Sequence, residues 1–353
     1  MRILVYGSGA VGGYLGGKLA HAGHDVTLVA RPVVAKTINN SGLLITESGK
    51  MSKSQPTALP SITRAFMEDA PDFNLIILAM KSYDLEEAID PLIAFCPEPE
   101  AILITQNGIG VEEIVSQNFK KSQVTTAAVT IPITKETTNH LVVEVDDRGL
   151  ALAPVNQGPS TKQWAAMLQK AGLNITVVKN YQAMKWSKAL LNILGNASAA
   201  ILNRSPAVLY KSSAIFGMEV AMVREALRVM KSLKLKPIDL PGAATGRLIF
   251  GIRYLPQFLL KPILQQTVAN IGRGEKMPSF HADLMSGKKK NEVVFHNGAI
   301  ARIGHQQNIA TPVNAVLTDI LLKLTREELD WRDYDGNAKR LLTEVRRYKA
   351  TKS

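Results

Sequence analysis

The chain has 353 residues, 46% of them apolar and 20% charged, and its 42 Lys and Arg against 30 Asp and Glu leave a formal charge of +12. That length suits two domains, and that composition suits a globular fold rather than a disordered or fibrous one. A single cysteine, Cys96, excludes a disulfide framework within the chain, and six histidines without carboxylates or cysteines at ligand spacing give no reason to expect a metal.

Residues 2–6 (RILVY) read as a short buried strand. Gly7, Ser8, Gly9, Ala10, Val11 and Gly12 follow as a G-x-G-x-x-G that runs into a helical pattern ending near residue 22, and a second strand is expected over 25–30. Between a strand and a helix of a βαβ unit, this pattern marks a site for a dinucleotide's phosphates. Gly7 permits the tight turn, Gly9 lets the backbone approach the pyrophosphate, and Gly12 lets helix and strand close up, while the helix N-terminus offers free N–H groups. The second strand ends on Arg31, where NAD-binding units usually carry an acid for the ribose 2′-hydroxyl. With the acid missing and a base in its place, the 2′-phosphate of NADP(H) is favoured; the plain alternative is a solvated arginine at a strand end.

Alternation of strands and helices through the first half predicts a mainly parallel sheet. Continuous apolar runs at 74–80 and 101–105 suit strands covered on both faces. A further strand is expected over 123–131, a pair near the sheet edge over 141–145 and 149–153 joined at Asp146-Asp147, and a last strand over 174–178. Lys81 and Asn107 follow two of these strands, at the carboxyl ends where such sheets bind ligands, although either could be an ordinary loop residue. Cys96, followed by Pro97, reads as a packed small residue rather than a nucleophile. These elements make up an α/β Rossmann domain over 1–180, with an all-α domain over 181–353.

In the second domain, apolar spacing of three to four residues predicts helices over 182–203, 213–233, 280–286, 291–307 and 313–327. Thr311 is the expected N-cap of the last of these and Pro312 its first residue. Residues 328–353 read as a short helix and a frayed tail. The apolar segment 240–273 is interrupted by Arg253, Pro256, Lys261 and Pro262, so it cannot span a bilayer. A pair of short helices over the core or at a subunit contact is expected there, with peripheral membrane contact as the lesser alternative and no stable membrane insertion. Basic residues are spread along the chain, clustering at 288–290 and near the end, without a nucleic-acid-binding motif; a solvated surface that attracts anionic small molecules is the expectation, and no nucleic acid.

Lys188, Asn192 and Asn196 are spaced i, i+4, i+8, which places them on one face of the helix predicted over 182–203. Such a polar stripe among leucines suits a cleft wall, and equally a solvent-facing stripe. Ser279 reads as an N-cap that could also hold a carboxylate, and Glu292 as a first-turn acid favoured by the helix dipole.

Together these residues resemble the 2-dehydropantoate 2-reductase (ketopantoate reductase) family over nearly the whole chain. The resemblance rests on Gly7 to Gly12, Ala79-Met80-Lys81, Gln106-Asn107-Gly108, Lys188 to Asn196, Ser279 to Asp283, Asn291-Glu292 with Asn297-Gly298, and Thr311-Pro312-Val313-Asn314. It implies a Rossmann domain followed by a helical one, an active site in the cleft, and hydride transfer from NADPH to the ketone carbon of a 2-oxo acid. It further implies Lys188 as general acid, Glu292 orienting the site, Asn107 between cofactor and substrate, Asn192, Asn196 and Ser279 as substrate contacts, and Arg31 and Lys81 as cofactor contacts. Four departures border the substrate side: a longer 240–273 segment, one extra residue within Lys288-Lys289-Lys290, Val294 where many members carry Asp, and Pro206 near a position where some carry Asn. The expectation is a cytoplasmic NADPH-dependent reductase serving pantothenate synthesis, with 2-dehydropantoate as substrate and a homodimer as one option for assembly. Its rivals are a reductase of another 2-oxo acid or an opine-type imine, and a non-catalytic NADP(H) sensor.

Overall fold

The computed structural model describes residues 1–68, 72–156, 161–266 and 276–352. Its contacts divide the chain into two units, Met1–Lys185 with Asp239–Ala243, and Trp186–Ile238 with Ala244–Ser353.

The first unit runs β1 (Arg2–Tyr6), α1 (Ala10–His21), β2 (Asp25–Val29), α2 (Pro32–Ser41), β3 (Leu43–Glu47), β4 (Lys50–Ser54), β5 (Thr57–Leu59), α3 (Ile62–Glu68), β6 (Leu75–Leu78), α4 (Leu85–Phe95), β7 (Ala101–Ile104), α5 (Val111–Asn118), β8 (Gln123–Val129), β9 (Ile133–Thr137), β10 (His140–Val143), β11 (Leu150–Pro154), α6 (Thr161–Lys170) and β12 (Ile175–Val177). Eight strands form a sheet in the order β12-β11-β8-β7-β6-β1-β2-β5. Pairing is parallel from β5 to β8, β11 runs antiparallel to β8, and β12 runs parallel to β11. The wholly apolar β6 (LIIL) and β7 (AILI) are buried at every residue, as strands covered on both faces must be. The strand order reverses between β1 and β6, and the carboxyl ends of these strands therefore border the crevice where such sheets take ligands.

A second sheet, β4-β3-β10-β9, packs on α1 and was not foreseen. Its polar strands, KMSKS for example, carry little of the apolar signal that sequence reading uses. The signal lies instead in α1, whose glycine pairs serve its two covered faces. A Cβ on Gly16 would stand 2.5 Å from Leu28 Cδ2 of the large sheet; on Gly13 it would stand 3.0 Å from Leu141 Cδ1, and on Gly17 2.8 Å from Ile45 Cδ1, both of the small sheet. A helix glycine costs roughly 0.5–1 kcal/mol relative to alanine, and here each allows a sheet to approach.

The pair expected over 141–145 and 149–153 is corrected by this arrangement. β10 belongs to the small sheet, between β3 and β9, whereas β11 belongs to the large sheet, between β8 and β12. Their burial explains the separation: β11 is buried from Leu150 to Ala153, as befits an inner strand, and β10 alternates. The excursion Asp239–Ala243 docks on this edge, where Thr130 Oγ1 donates to the Pro241 carbonyl at 2.7 Å and Arg148 donates to that of Gly242.

α7 (Tyr181–Ile193) starts in the first unit and continues into the second. There it is followed by α8 (Ala197–Leu202), α9 (Pro206–Leu209), α10 (Ser213–Ser232), α11 (Thr245–Tyr254), α12 (Gln257–Leu264), α13 (Ser279–Met285), α14 (Asn297–Gln306), α15 (Pro312–Thr325) and α16 (Ala338–Lys352). The buried stripe of α15, from Val313 through Leu317, Leu321 and Leu324, packs against α8, α14 and α16. The helix predicted over 182–203 is two helices: Gly195 adopts φ 55°, a left-handed turn, and the Glu219 carboxylate accepts its N–H at 2.7 Å. Where a short helix and a frayed tail were expected, α16 runs unbroken from Ala338 to Lys352. α11 and α12 form the expected pair of short helices; residues 267–273 of that segment lie outside the described residues. No described helix is long and apolar enough to cross a membrane.

Candidate functional site

The nominated residues fall in both units. In the first, the phosphate turn is shaped by contacts that only glycine allows. Gly7 has φ 108°, and a Cβ there would stand 2.6 Å from the Met80 amide nitrogen. One on Gly12 would stand 1.9 Å from the Gly7 carbonyl oxygen. Gly9, the N-cap of α1, differs, since nothing lies within 4 Å of its missing side chain. This open space faces a helix start whose first turn carries no acid. Free N–H groups, a positive helix end and room at Gly9 fit a dinucleotide's pyrophosphate. Arg31 caps α2 at the end of β2 with its side chain exposed.

The loops after β6 and β7 are tied together. Half-buried Lys81 precedes a 3-10 turn at Ser82–Asp84. Ser82 Oγ donates to the Asn107 carbonyl at 2.7 Å, Thr105 Oγ1 to that of Leu78 at 2.8 Å, and Gln106 Nε2 lies 3.0 Å from Met80 Sδ. The structure thus brings the loops of Lys81 and Asn107 to the phosphate turn's end of the sheet, where the backbone of Ala79 and Met80 also closes on Gly7.

Sequence reading missed an ion pair beneath this loop. Lys185 and Glu112 are 3% and 1% exposed, with Nζ and Oε1 2.8 Å apart. Lys185 also donates to the Gln106 carbonyl, and Thr126 Oγ1 donates to Glu112 at 2.7 Å. The pair therefore holds the peptide that leads into Asn107. The available signal was a lysine inside an apolar run, Met184-Lys185-Trp186, three residues before Lys188. Cys96 caps α4; burial, then the charge of Asp72, push its thiol up and away from thiolate reactivity.

In the second unit Lys188 and Asn192 are half-buried on α7. Asn196 lies beyond the end of α7, as N-cap of α8, so the expected stripe of three on one helix face holds only for the first two. Asn196 is 2% exposed and its carboxamide is used on both sides. Nδ2 donates to the Asn192 carbonyl at 3.0 Å and reaches Ser279 Oγ at 3.4 Å, while Oδ1 accepts the Phe280 N–H at 3.1 Å. Ser279 is the exposed first residue of α13, and the N-cap position belongs to Pro278; the capping acceptor expected of Ser279 is supplied by Asn196 from a distance.

The Phe280 carbonyl accepts from Asn291 Nδ2 at 3.1 Å, and the Glu292 N–H donates to Asp283 Oδ2 at 3.2 Å. Glu292, 6% exposed, opens a short 3-10 turn, Glu292–Phe295, instead of the long helix predicted over 291–307. The Asn196 carboxamide thus links Asn192, Ser279 and the Phe280 N–H, and the Asn291-Glu292 turn is tied to the same α13 through the Phe280 carbonyl and Asp283.

Two buried carboxylates on α10 hold this arrangement from behind. Glu219 accepts from the Gly195 N–H and from Ser198 Oγ at 2.6 Å, fixing the break between α7 and α8. Glu225 accepts the N–H groups of Val313 and Asn314 at 3.0 Å, and Asn314 Nδ2 at 2.8 Å. It supplies the cap of α15, for which Thr311 holds the position but makes no side-chain bond. Burial raises the Glu225 carboxyl above its ordinary value, opposed by these hydrogen bonds. The motif residues Asn297 and Asn314 pair at 3.0 Å within this buried network. Among the described residues, no three His, Cys, Asp or Glu side chains gather as a metal site.

Residues 3–156 match the family model described as ketopantoate reductase PanE/ApbA, and residues 180–325 match that family's C-terminal model. The chain is 28% identical over 328 residues to a 2-dehydropantoate 2-reductase of Pyrococcus horikoshii, covering 90% of this chain and 95% of that one. It is 26% identical over 337 residues to the Lactococcus lactis enzyme of the same name, covering 93% and 99%. Among solved structures, a PanE/ApbA family ketopantoate reductase from Ralstonia eutropha aligns with a TM-score of 0.76 at 23% identity, covering 93% and 99%. A D-mandelate dehydrogenase in complex with NADH and anilino(oxo)acetate aligns with a TM-score of 0.77 at 22% identity over the same shares. These two structural likenesses carry the fold.

Proposed function

Because the chain belongs to the ketopantoate reductase PanE/ApbA family, we propose that this oxidoreductase converts 2-dehydropantoate to (R)-pantoate with NADPH. The observation that carries the reading is the match over nine-tenths of the chain to relatives named for that reaction, with the family's C-terminal model spanning the segments that hold Lys188 and Glu292. Arg31, in place of the acid that would favour NADH, supports the phosphorylated cofactor.

Reduction adds a hydride to the ketone carbon and a proton to its oxygen. NADPH, when bound, supplies the hydride. Lys188 hands its ammonium proton to the carbonyl oxygen as negative charge develops there, and regains a proton from solvent. Ser279 receives the substrate carboxylate. Asn196, with its carboxamide engaged at both ends, sets the Ser279 hydroxyl and the end of α7 that carries Asn192. Glu292, fixed through Asp283, orients the substrate's hydroxyl end. Asn107, on the clamped loop, contacts cofactor and substrate, and Lys81 the cofactor.

The test is steady-state NADPH oxidation by the purified protein with 2-dehydropantoate and a panel of other 2-oxo acids and imines. A kcat/KM highest for 2-dehydropantoate supports the reading. A higher value for another member of the panel transfers the same machinery to that substrate, and cofactor binding without turnover of any would indicate a sensor.

A further inference from the structure

The small sheet carries a cation toward the phosphate turn. Ile45 on β3 pairs with Leu141 on β10, and Leu141 pairs with Lys135 on β9. Directly paired residues share a sheet face, and this row faces α1. Ile45 lies over Gly17 and Leu141 over Gly13, the contacts at 2.8 and 3.0 Å given above. Each strand therefore steps four residues toward the start of α1. The next step after Gly13 is Gly9, and the next residue in the row is Lys135. β9 packs against α1, Lys135 is half-buried, and the space around Gly9 is open.

Arg31 arrives from the other side, at the carboxyl end of β2. Burial, then the Arg31 guanidinium, push the Lys135 ammonium below its ordinary value, which puts the two cations within electrostatic reach of one another. Neither makes a side-chain hydrogen bond or ion pair among the described residues. The adjacent Glu136 belongs to the opposite face, where it pairs with His140 Nδ1 at 3.0 Å. Two neighbouring cations, one half-buried and neither matched by a carboxylate, form a site that an anion stabilises.

We propose that Lys135 and Arg31 form a two-cation clamp for a phosphomonoester dianion, the 2′-phosphate of NADPH, which makes Lys135 a second determinant of cofactor choice. The inference rests on the NADPH reading above. Arg31 offers a planar fork of donors to the phosphate oxygens, and Lys135 a point charge from the small sheet. A chain with Arg31 alone would hold the dianion from one side only.

Calorimetric titration of the full-length protein with NADPH, NADH, 2′,5′-ADP and 5′-ADP tests the clamp. Lys135→Ala is expected to weaken NADPH and 2′,5′-ADP by about tenfold or more, the worth of one charge-assisted contact. NADH and 5′-ADP, which lack the 2′-phosphate, should bind as before, and Lys135→Arg should retain most of the NADPH affinity. Unchanged NADPH binding in Lys135→Ala would overturn the proposal, as would an equal loss for NADH. The wild-type and Arg31→Ala titrations separate the two readings. If the wild type prefers NADPH and only Arg31→Ala erases the preference, Lys135 is excluded and the cofactor reading stands. If the wild type binds NADH as tightly as NADPH, the cofactor reading falls and takes the clamp with it.

Discussion

The candidate site groups of the first unit are mainly backbone, and those of the second mainly side chains. Around Gly7, Gly9 and Gly12 the working groups are N–H donors and empty space, and the residue types are dictated by what a single methyl group would strike. Around Asn192, Asn196, Ser279 and Glu292 the working groups are carboxamides, a hydroxyl and carboxylates, placed by hydrogen bonds between residues up to 84 positions apart. A backbone site is therefore local and steric, and tolerates little at a few positions. A side-chain site is distributed, so its supports on α10, α13 and the 291–292 turn count as much as the residues they place.

The contrast can be broken or sharpened by substitution. The largest effect is expected at Lys188. Lys188→Ala should lower kcat roughly a hundredfold to ten-thousandfold, as loss of a general acid does, with NADPH binding retained; turnover at the wild-type rate would remove the acid role. Next comes the buried pair, the exception that puts side-chain support into the backbone unit. Lys185→Met should cost about 3–5 kcal/mol in denaturant unfolding because Glu112 is left as an uncompensated charge. Adding Glu112→Leu should restore part of the loss, and strictly additive losses would deny the coupling.

Glycine substitutions divide fold from ligand. Gly12→Ala should cost about 3 kcal/mol of stability, since the backbone oxygen it strikes cannot swing aside. Gly9→Ala should leave the unfolding midpoint in place and weaken cofactor binding, because the space it fills is the ligand's; a large loss of stability there would mean that the protein itself occupies that space. Asn196→Ala strands the buried Phe280 N–H and should cost about 1–3 kcal/mol, with a rise in KM for the substrate as Ser279 loses its setting.

The smallest effect is a pH signature at Glu225. Its carboxyl is raised in the folded state, so its contribution to stability is greatest below the unfolded value near 4.5 and is lost as pH rises through the higher folded value. The stability of wild type relative to Glu225→Gln should therefore decline as pH rises from about 4.5. A relative stability that increases over that range would reverse the assignment.

The same contrast governs what could be read from the sequence. β1, α1, β2, β6, β7 and the phosphate turn were legible because each is encoded by adjacent residues. The small sheet was not, since β3, β4, β9 and β10 are short, half-exposed strands whose cover is the glycine face of α1. Lys188 and Asn192 stood out by helical spacing, yet spacing alone left cleft wall and solvent stripe equal, and the resemblance supplied their roles. Asn196 was placed one turn too far along the same helix because nothing local foretells that Glu219 captures the Gly195 N–H. The parts of Asn297 and Asn314 in the Glu225 network likewise depend on contacts across the helical unit.

Hydride transfer can be read directly in the product. Purified protein given 2-dehydropantoate and NADPH deuterated at the transferable C4 position should yield pantoate with deuterium at C2, seen by mass spectrometry and NMR. Cofactor bound with no labelled pantoate formed would contradict the account.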